Sequence, residues 1–313
     1  MLLATLGLLA GAGLLVLGAE WFAGNVSAAA GKLGLSVFAV GLLLAGAEPE
    51  EAVTAVLASL DGHPALAAGD VIGANVVILA LALGLAALLS PLPVNRRVKQ
   101  YAGAAAVAGS LAVLVLLNGH VGRAEGCGLV VAYVAGVVVV WRRERVPPVI
   151  GEVAELFEGD DEPAGRSPAV GLTLTLAGIV FMVAGGWVAV RAAERLTETL
   201  SVTDSTVGLT VLALATSAEM LALVFAAARH RVADVAVAGM VGSAAYNATV
   251  SLGLAALARP LELPGATAIT LTAVAAAALP LALVLLTRRG HLGRPIGGLL
   301  VVTYASILAL ILR

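Results

Sequence analysis

Apolar runs close to twenty residues long recur from end to end of this chain, separated by short polar turns and one longer polar segment. A helix of that length crosses the ~30 Å hydrocarbon core of a bilayer. The runs lie near residues 2–24, 35–59, 64–90, 100–118, 126–141, 169–191, 205–228, 233–257, 265–287 and 295–312. The expected fold class is therefore all-α, a polytopic membrane protein of about ten transmembrane helices. Composition agrees: hydrophobic residues make up 60% and charged residues 12%, about half the charge of a soluble domain. A net charge of -2 gives no sign of a nucleic-acid partner. The single Cys127 excludes a disulfide framework and a thiolate metal site. The first residues have neither a basic leader nor a small-residue cleavage motif, so they read as a retained span.

The polar segment from Arg142 to Ser167 contains "RRERVPP" and "EGDDEPAG" and splits the spans five and five. This predicts a first five-helix repeat over 1–141, a cytoplasmic linker over 142–168 and a second repeat over 169–313. With the N-terminus outside, the loops on the cytoplasmic side hold 13 of the 18 Lys and Arg residues, the bias that cytoplasmic loops carry. The expected setting is a cell's inner (plasma) membrane with both termini extracytoplasmic. An odd number of spans per half makes the second half enter from the opposite side, giving two inverted repeats.

The halves share a pattern. "GAEPEE" interrupts the second apolar run and "ATSAEM" the seventh. Glu50 precedes Gly73 by the same interval as Glu219 precedes Gly242, and "GANVVI" and "GSAAYN" follow. "LVLGAEWFAGNVSAAAGKLGLS" upstream of the first motif also parallels "MVAGGWVAVRAAERLTETLS" upstream of the second.

These motifs resemble the calcium/cation antiporter superfamily, the sodium/calcium and cation/proton exchangers. Pro49-Glu50 matches the family's Pro-Glu. Ala218-Glu219 resembles the Ala-Glu of the proton-coupled branch, and Thr216-Ser217 its Thr-Ser. Ser243 and Asn247 match Gly-Ser-x-x-x-Asn, where the first half has Ala74 and Ile78, with Asn75 as the nearest polar group. The resemblance implies two inverted repeats, a transported cation rather than a bound cofactor, and first and sixth spans that rock or slide. Two registers against the family motif stay open. One, with a one-residue insertion in each turn, puts Glu50 and Glu219 at the family's glutamates; the other, ungapped, puts Glu51 and Met220 there.

A carboxylate deep in a bilayer costs a few kcal/mol, so it is retained where it meets a cavity, a partner or an ion. Ca2+ takes about six to eight oxygens. Glu50 and Glu219 would neutralise it, with oxygens from Thr216, Ser217, Ser243, Asn247 and Asn75 completing the shell. Burial disfavours ionised carboxylates and a cation favours them, so H+ and metal compete for one site. Pro49 is expected to kink its helix and free the Ala45 carbonyl. Glu48, three positions before Glu51 on one expected face, either touches the ion or lines a vestibule. Ser243 and Asn247 either ligate or tie helices together. Asp70 and Asp234 read as helix caps or entrance charges. His63, His120, His230 and His291 fall in expected loops without metal spacing, and Glu20 and Trp21 mark an interface.

The function expected is secondary antiport of Ca2+ for H+ or Na+. A monovalent cation or another solute on the same fold is the alternative. An intramembrane hydrolase or a structural membrane protein is the reading from another class. The spans hold no HExxH pair and no histidine, which argues against an enzyme. Inorganic cations and lipid are the expected partners; the sequence leaves the oligomeric state open.

Overall fold

The computed structural model describes residues 1–32, 48–144, 168–221, 233–265, 267–287 and 290–313. Most of the 142–168 linker, Ala45 and His230 lie outside these residues. Among those described, eight helices are long and apolar enough to cross a membrane. The second and seventh expected spans are described only in part.

The chain opens with α1 (Leu2–Lys32), followed by α2 (Pro49–Leu60). Helix α3 (Pro64–Val76) passes through a π-helical stretch at Val77–Ala82 into α4 (Leu83–Leu89). Strand β1 (Leu92–Pro93), α5 (Arg96–Leu116), β2 (His120–Val121) and α6 (Arg123–Glu144) complete the first half. The second half starts with α7 (Pro168–Leu200) and α8 (Asp204–Val207). A π-helical stretch at Gly208–Leu212 then leads into α9 (Ala213–Thr216). Helix α10 (Ala233–Tyr246), a third π-helical stretch at Asn247–Ser251 and α11 (Leu252–Ala258) come next. Strand β3 (Leu261–Glu262), α12 (Thr267–Leu286), β4 (His291–Leu292) and α13 (Arg294–Ile311) follow.

From α3 and from α10 onward, the two halves repeat one order. Pro64 and Ala233 open equivalent helices, Leu92 and Leu261 open equivalent strands, and each pair stands 169 positions apart. β1 pairs antiparallel with β4, and β2 with β3. Each ladder therefore joins one half to the other, and exchanging the halves exchanges the ladders, as a two-fold relation requires.

Packing shows the inversion. Buried apolar residues form two main clusters. Helix α3 enters the first with Leu66–Ile72 and reaches the second at Val76; α10 enters the second with Val237–Ala244, and its continuation reaches the first at Ala248. Equivalent helices thus run through the layers in opposite directions. The chain is an all-α polytopic membrane protein built as two inverted repeats. Large apolar side chains such as Leu3, Val131 and Leu310 are exposed on its outside, as a lipid-facing surface requires.

Glycine sets the close crossings. A Cβ on Gly208 would stand 2.6 Å from the Leu66 carbonyl, and one on Gly73 would stand 2.7 Å from that of Leu209. Between α1 and α7, a Cβ on Gly18 would stand 2.7 Å from the Gly178 carbonyl. These backbones approach where no side chain intervenes.

Pro49 is the first residue of α2, after a non-helical Glu48 at φ -113, ψ 78; the expected kink involves preceding residues that lie outside those described. Proline fits there because its missing N–H would have no partner in a first turn. The second half breaks without proline: Ser217 is a turn residue at φ -80, ψ 11, and residues 218–221 are helical again.

Candidate functional site

In each site helix, the polar residues fall where the packing changes cluster. In α3, Asn75 lies between Ile72 of the first cluster and Val76 of the second; beyond α10, Asn247 lies between Ala244 and Ala248. Thr216, Ser217 and Glu219 lie between Leu212 and Met220. Helix α2 brings Glu50 and Glu51 to the same region.

Side chains cross between the repeats here. Ser243 donates from Oγ to Glu48 Oε1, and Ser217 Oγ donates to Glu51 Oε1 at 3.1 Å. Thr216 Oγ1 lies 3.1 Å from Asp70 Oδ1 and also 3.1 Å from the Leu212 carbonyl of its own turn. Asn75 Nδ2 donates to the Ala244 carbonyl at 3.1 Å. Asn247 Oδ1 accepts from Ser251 Oγ at 3.1 Å, and its Nδ2 is enclosed without a partner. Glu48, Glu50, Glu51, Asp70, Asn75, Thr216, Ser217, Ser243 and Asn247 are all buried; Glu219 is half-buried.

The acids at the start of α2 divide between two flanks. Glu48 accepts from Ser243, three residues before Tyr246, which meets Tyr133 edge to face at 5.5 Å. Glu51 instead faces Thr216, Ser217 and Asp70. Consecutive helical residues point about 100° apart, so adjacent glutamates reach different neighbours. The expectation that Glu48 and Glu51 share a face is corrected. Glu48 precedes the helix, so the i,i+3 rule does not apply to it.

Asp70 corrects a second expectation. Pro64 opens α3, and Asp70 is its seventh residue, fully buried rather than a cap or an entrance charge. Counting forward from Pro64 would have found it. Asp234 does lie in the first turn of α10.

The 169-position offset, carried through without a gap, sets Glu50 against Glu219, Glu51 against Met220 and Glu48 against Ser217. It sets Ala74 against Ser243 and Ile78 against Asn247, both within or beside matching π-helical stretches. A π-helical turn leaves the regular hydrogen-bond ladder and recurs at functional sites. Among the described residues, no three His, Cys, Asp or Glu side chains are grouped to hold a metal. A cation here needs hydroxyl, amide, carbonyl or water oxygens besides carboxylates.

Ionic contacts gather elsewhere, at one end of the bundle. His63 contacts Asp204 at 2.8 Å and Glu194 at 3.2 Å; Arg191 contacts Glu194 at 3.0 Å and Asp61 at 3.6 Å. They fasten the end of α7 to the α2–α3 turn and the start of α8.

The family model for sodium/calcium exchanger proteins matches residues 3–142 and 170–313. The chain belongs to the sodium/calcium exchanger family. Among relatives of this exchanger, inner membrane protein YrbG of Escherichia coli (strain K12) is 30% identical over 277 residues, covering 84% of this chain and 82% of YrbG. The putative antiporter CaxA of Alkalimonas amylolytica is 27% identical over 267 residues, covering 83% of this chain and 82% of CaxA. A solved structure of the sodium-calcium exchanger NCX_Mj, soaked with 10 mM Na+ and zero Ca2+, matches with a TM-score of 0.65 and 22% identity, covering 98% of each chain. That likeness establishes the fold. Family membership makes the chain a membrane cation antiporter and not an enzyme.

Proposed function

We propose that this exchanger moves Ca2+ against H+ or Na+ by alternating access at a midplane site anchored by Glu50 and Glu219. One observation carries the reading: buried acids and neutral oxygens from two inverted repeats meet where the site helices pass from one apolar cluster to the other. The two glutamates occupy equivalent positions and match the charge of one divalent ion. Thr216, Ser217, Ser243, Asn75 and Asn247 supply neutral oxygens toward the six to eight that Ca2+ takes. Glu48 and Glu51 flank the anchors. H+ or Na+ competes for the same oxygens, so the site releases one cargo as it takes the other. Family names point the same way: NCX_Mj is a sodium-calcium exchanger and CaxA a putative antiporter.

The moving element in this reading is the α1–α7 pair, whose glycines pack backbone to backbone. The setting is a cell's inner membrane with both termini extracytoplasmic. The units 1–141 and 169–313 are joined by a cytoplasmic segment, 142–168. Inorganic cations and lipid are the partners; no cofactor takes part.

Purified protein in proteoliposomes tests the proposal. Ca2+ uptake is expected under an opposing Na+ or H+ gradient, and loss of uptake in Glu50→Gln and in Glu219→Gln. Full flux in both variants, or folded protein that moves no Ca2+ under either gradient, overturns it. One observation favours a monovalent cargo on the same fold: Ile78, buried and apolar, stands opposite Asn247 and removes an oxygen from the first repeat. Na+/H+ exchange without Ca2+ flux would select that reading.

A further inference from the structure

We propose that Glu51 and Asp70, with the hydroxyls of Thr216 and Ser217, form a second cation-binding subsite beside the Glu50–Glu219 anchors. The inference rests on the reading of the chain as a cation carrier and adds a place for an ion on the other flank of α2.

Both carboxylates are fully buried. They reach one place from different helices. Thr216 and Ser217, adjacent in the chain, tie the two together: Thr216 Oγ1 lies 3.1 Å from Asp70 Oδ1, and Ser217 Oγ donates to Glu51 Oε1 at 3.1 Å. The contacts of Gly73 and Gly208 press α3 against the Gly208–Leu212 stretch and bring Asp70 within reach of Thr216.

Each acid has an oxygen left over. Glu51 Oε2 and Asp70 Oδ2 are enclosed and have no hydrogen-bond partner. Among the described residues no lysine, arginine or histidine forms an ion pair with either acid. Buried oxygens are rarely orphaned, and a bound ion or ordered water satisfies them where no protein group does. Two carboxylates and two hydroxyls make a hard, all-oxygen donor set, and one divalent cation matches its charge.

The subsite exists once per chain. The positions equivalent to Glu51 and Asp70 are Met220 and Gly239, so the second repeat has no counterpart. It therefore differs from the Glu50–Glu219 anchors, to which each repeat contributes one acid.

Cation stoichiometry of the full chain in lipid nanodiscs tests the proposal, using equilibrium dialysis and titration calorimetry with Ca2+ and, separately, Na+. Asp70→Asn is expected to lower bound cation by one per chain. Glu219→Gln is expected to lower it by one independently, and the double variant to bind none. Wild-type stoichiometry and affinity in Asp70→Asn with both ions overturns the subsite and leaves the anchors standing. Wild-type binding in Glu219→Gln alongside a loss in Asp70→Asn overturns the anchors and keeps the subsite. If Asp70→Asn does not fold, Asp70→Glu decides. It retains the charge and lengthens the arm, so altered affinity at unchanged stoichiometry supports the subsite, and unchanged affinity overturns it.

Discussion

The two repeats put different chemistry on the same scaffold. The first contributes Glu48, Glu50, Glu51 and Asp70; the second contributes Thr216, Ser217, Ser243 and Asn247 with one acid, Glu219. Three hydrogen bonds run from second-repeat hydroxyls to first-repeat carboxylates, at Glu48, Glu51 and Asp70. Duplication preserved the long helices, the π-helical stretches at Val77–Ala82 and Asn247–Ser251 and the ladders, while the side chains diverged into a charged half and a donor half. Donors on one repeat meet acceptors on the other, so neither half holds a complete site.

Making the halves alike should break the protein first. Met220→Glu places a carboxylate opposite Glu51's position, in an apolar cluster where Met220 is 1% exposed. An unpaired buried charge costs several kcal/mol, so the yield of monodisperse protein is expected to collapse; a wild-type thermal unfolding profile would show that the second half tolerates acid as the first does. Glu219→Gln, the second half's one site acid, comes next. Losing a buried charged ligand at about 3 kcal/mol weakens cation affinity ~100-fold, read as bound Ca2+ in equilibrium dialysis and as loss of uptake at Ca2+ concentrations that saturate the wild type.

Ser217→Ala and Ser243→Ala each remove a donor from a buried carboxylate, at about 1.5–3 kcal/mol. In thermal unfolding, Ser217→Ala should be rescued in part by bound cation, since Glu51 then faces an ion; equal destabilisation with and without Ca2+ would assign Ser217 to folding alone. The smallest effect is expected at Glu262→Gln, which breaks an exposed cross-repeat contact with His120 at 2.9 Å. Exposed pairs contribute about 0–1 kcal/mol, so flux and unfolding temperature should stay near wild type.

The spans were legible because bilayer thickness imposes length and hydropathy on them. The repeat was legible because its motifs keep their spacing: Glu50 to Gly73 and Glu219 to Gly242 survive in the fold as equivalent positions. Local breaks were harder to place. Pro49 reads as a kink from sequence, and among the described residues it opens α2. That choice sends Glu48 to Ser243 and separates it from Glu51. The depth of Asp70 depends on where α3 begins, which Pro64 fixes, and a loop-end reading of the same residues leaves it a cap. The π-helical stretches carry no compositional signal: they are one-turn departures inside otherwise apolar helices.

The paired ladders also constrain how the chain is assembled. Leu92 pairs with Leu292, and Val121 with Leu261. The partners of the first are about two hundred positions apart, a long-range closure of the kind that slows folding. The first half can insert its helices as they emerge, but its strand at Leu92 has no partner until Leu292 has been made. Truncation upstream of His291 would therefore leave an open edge in the half synthesised first, so an early strand waits on a late one to close the bundle.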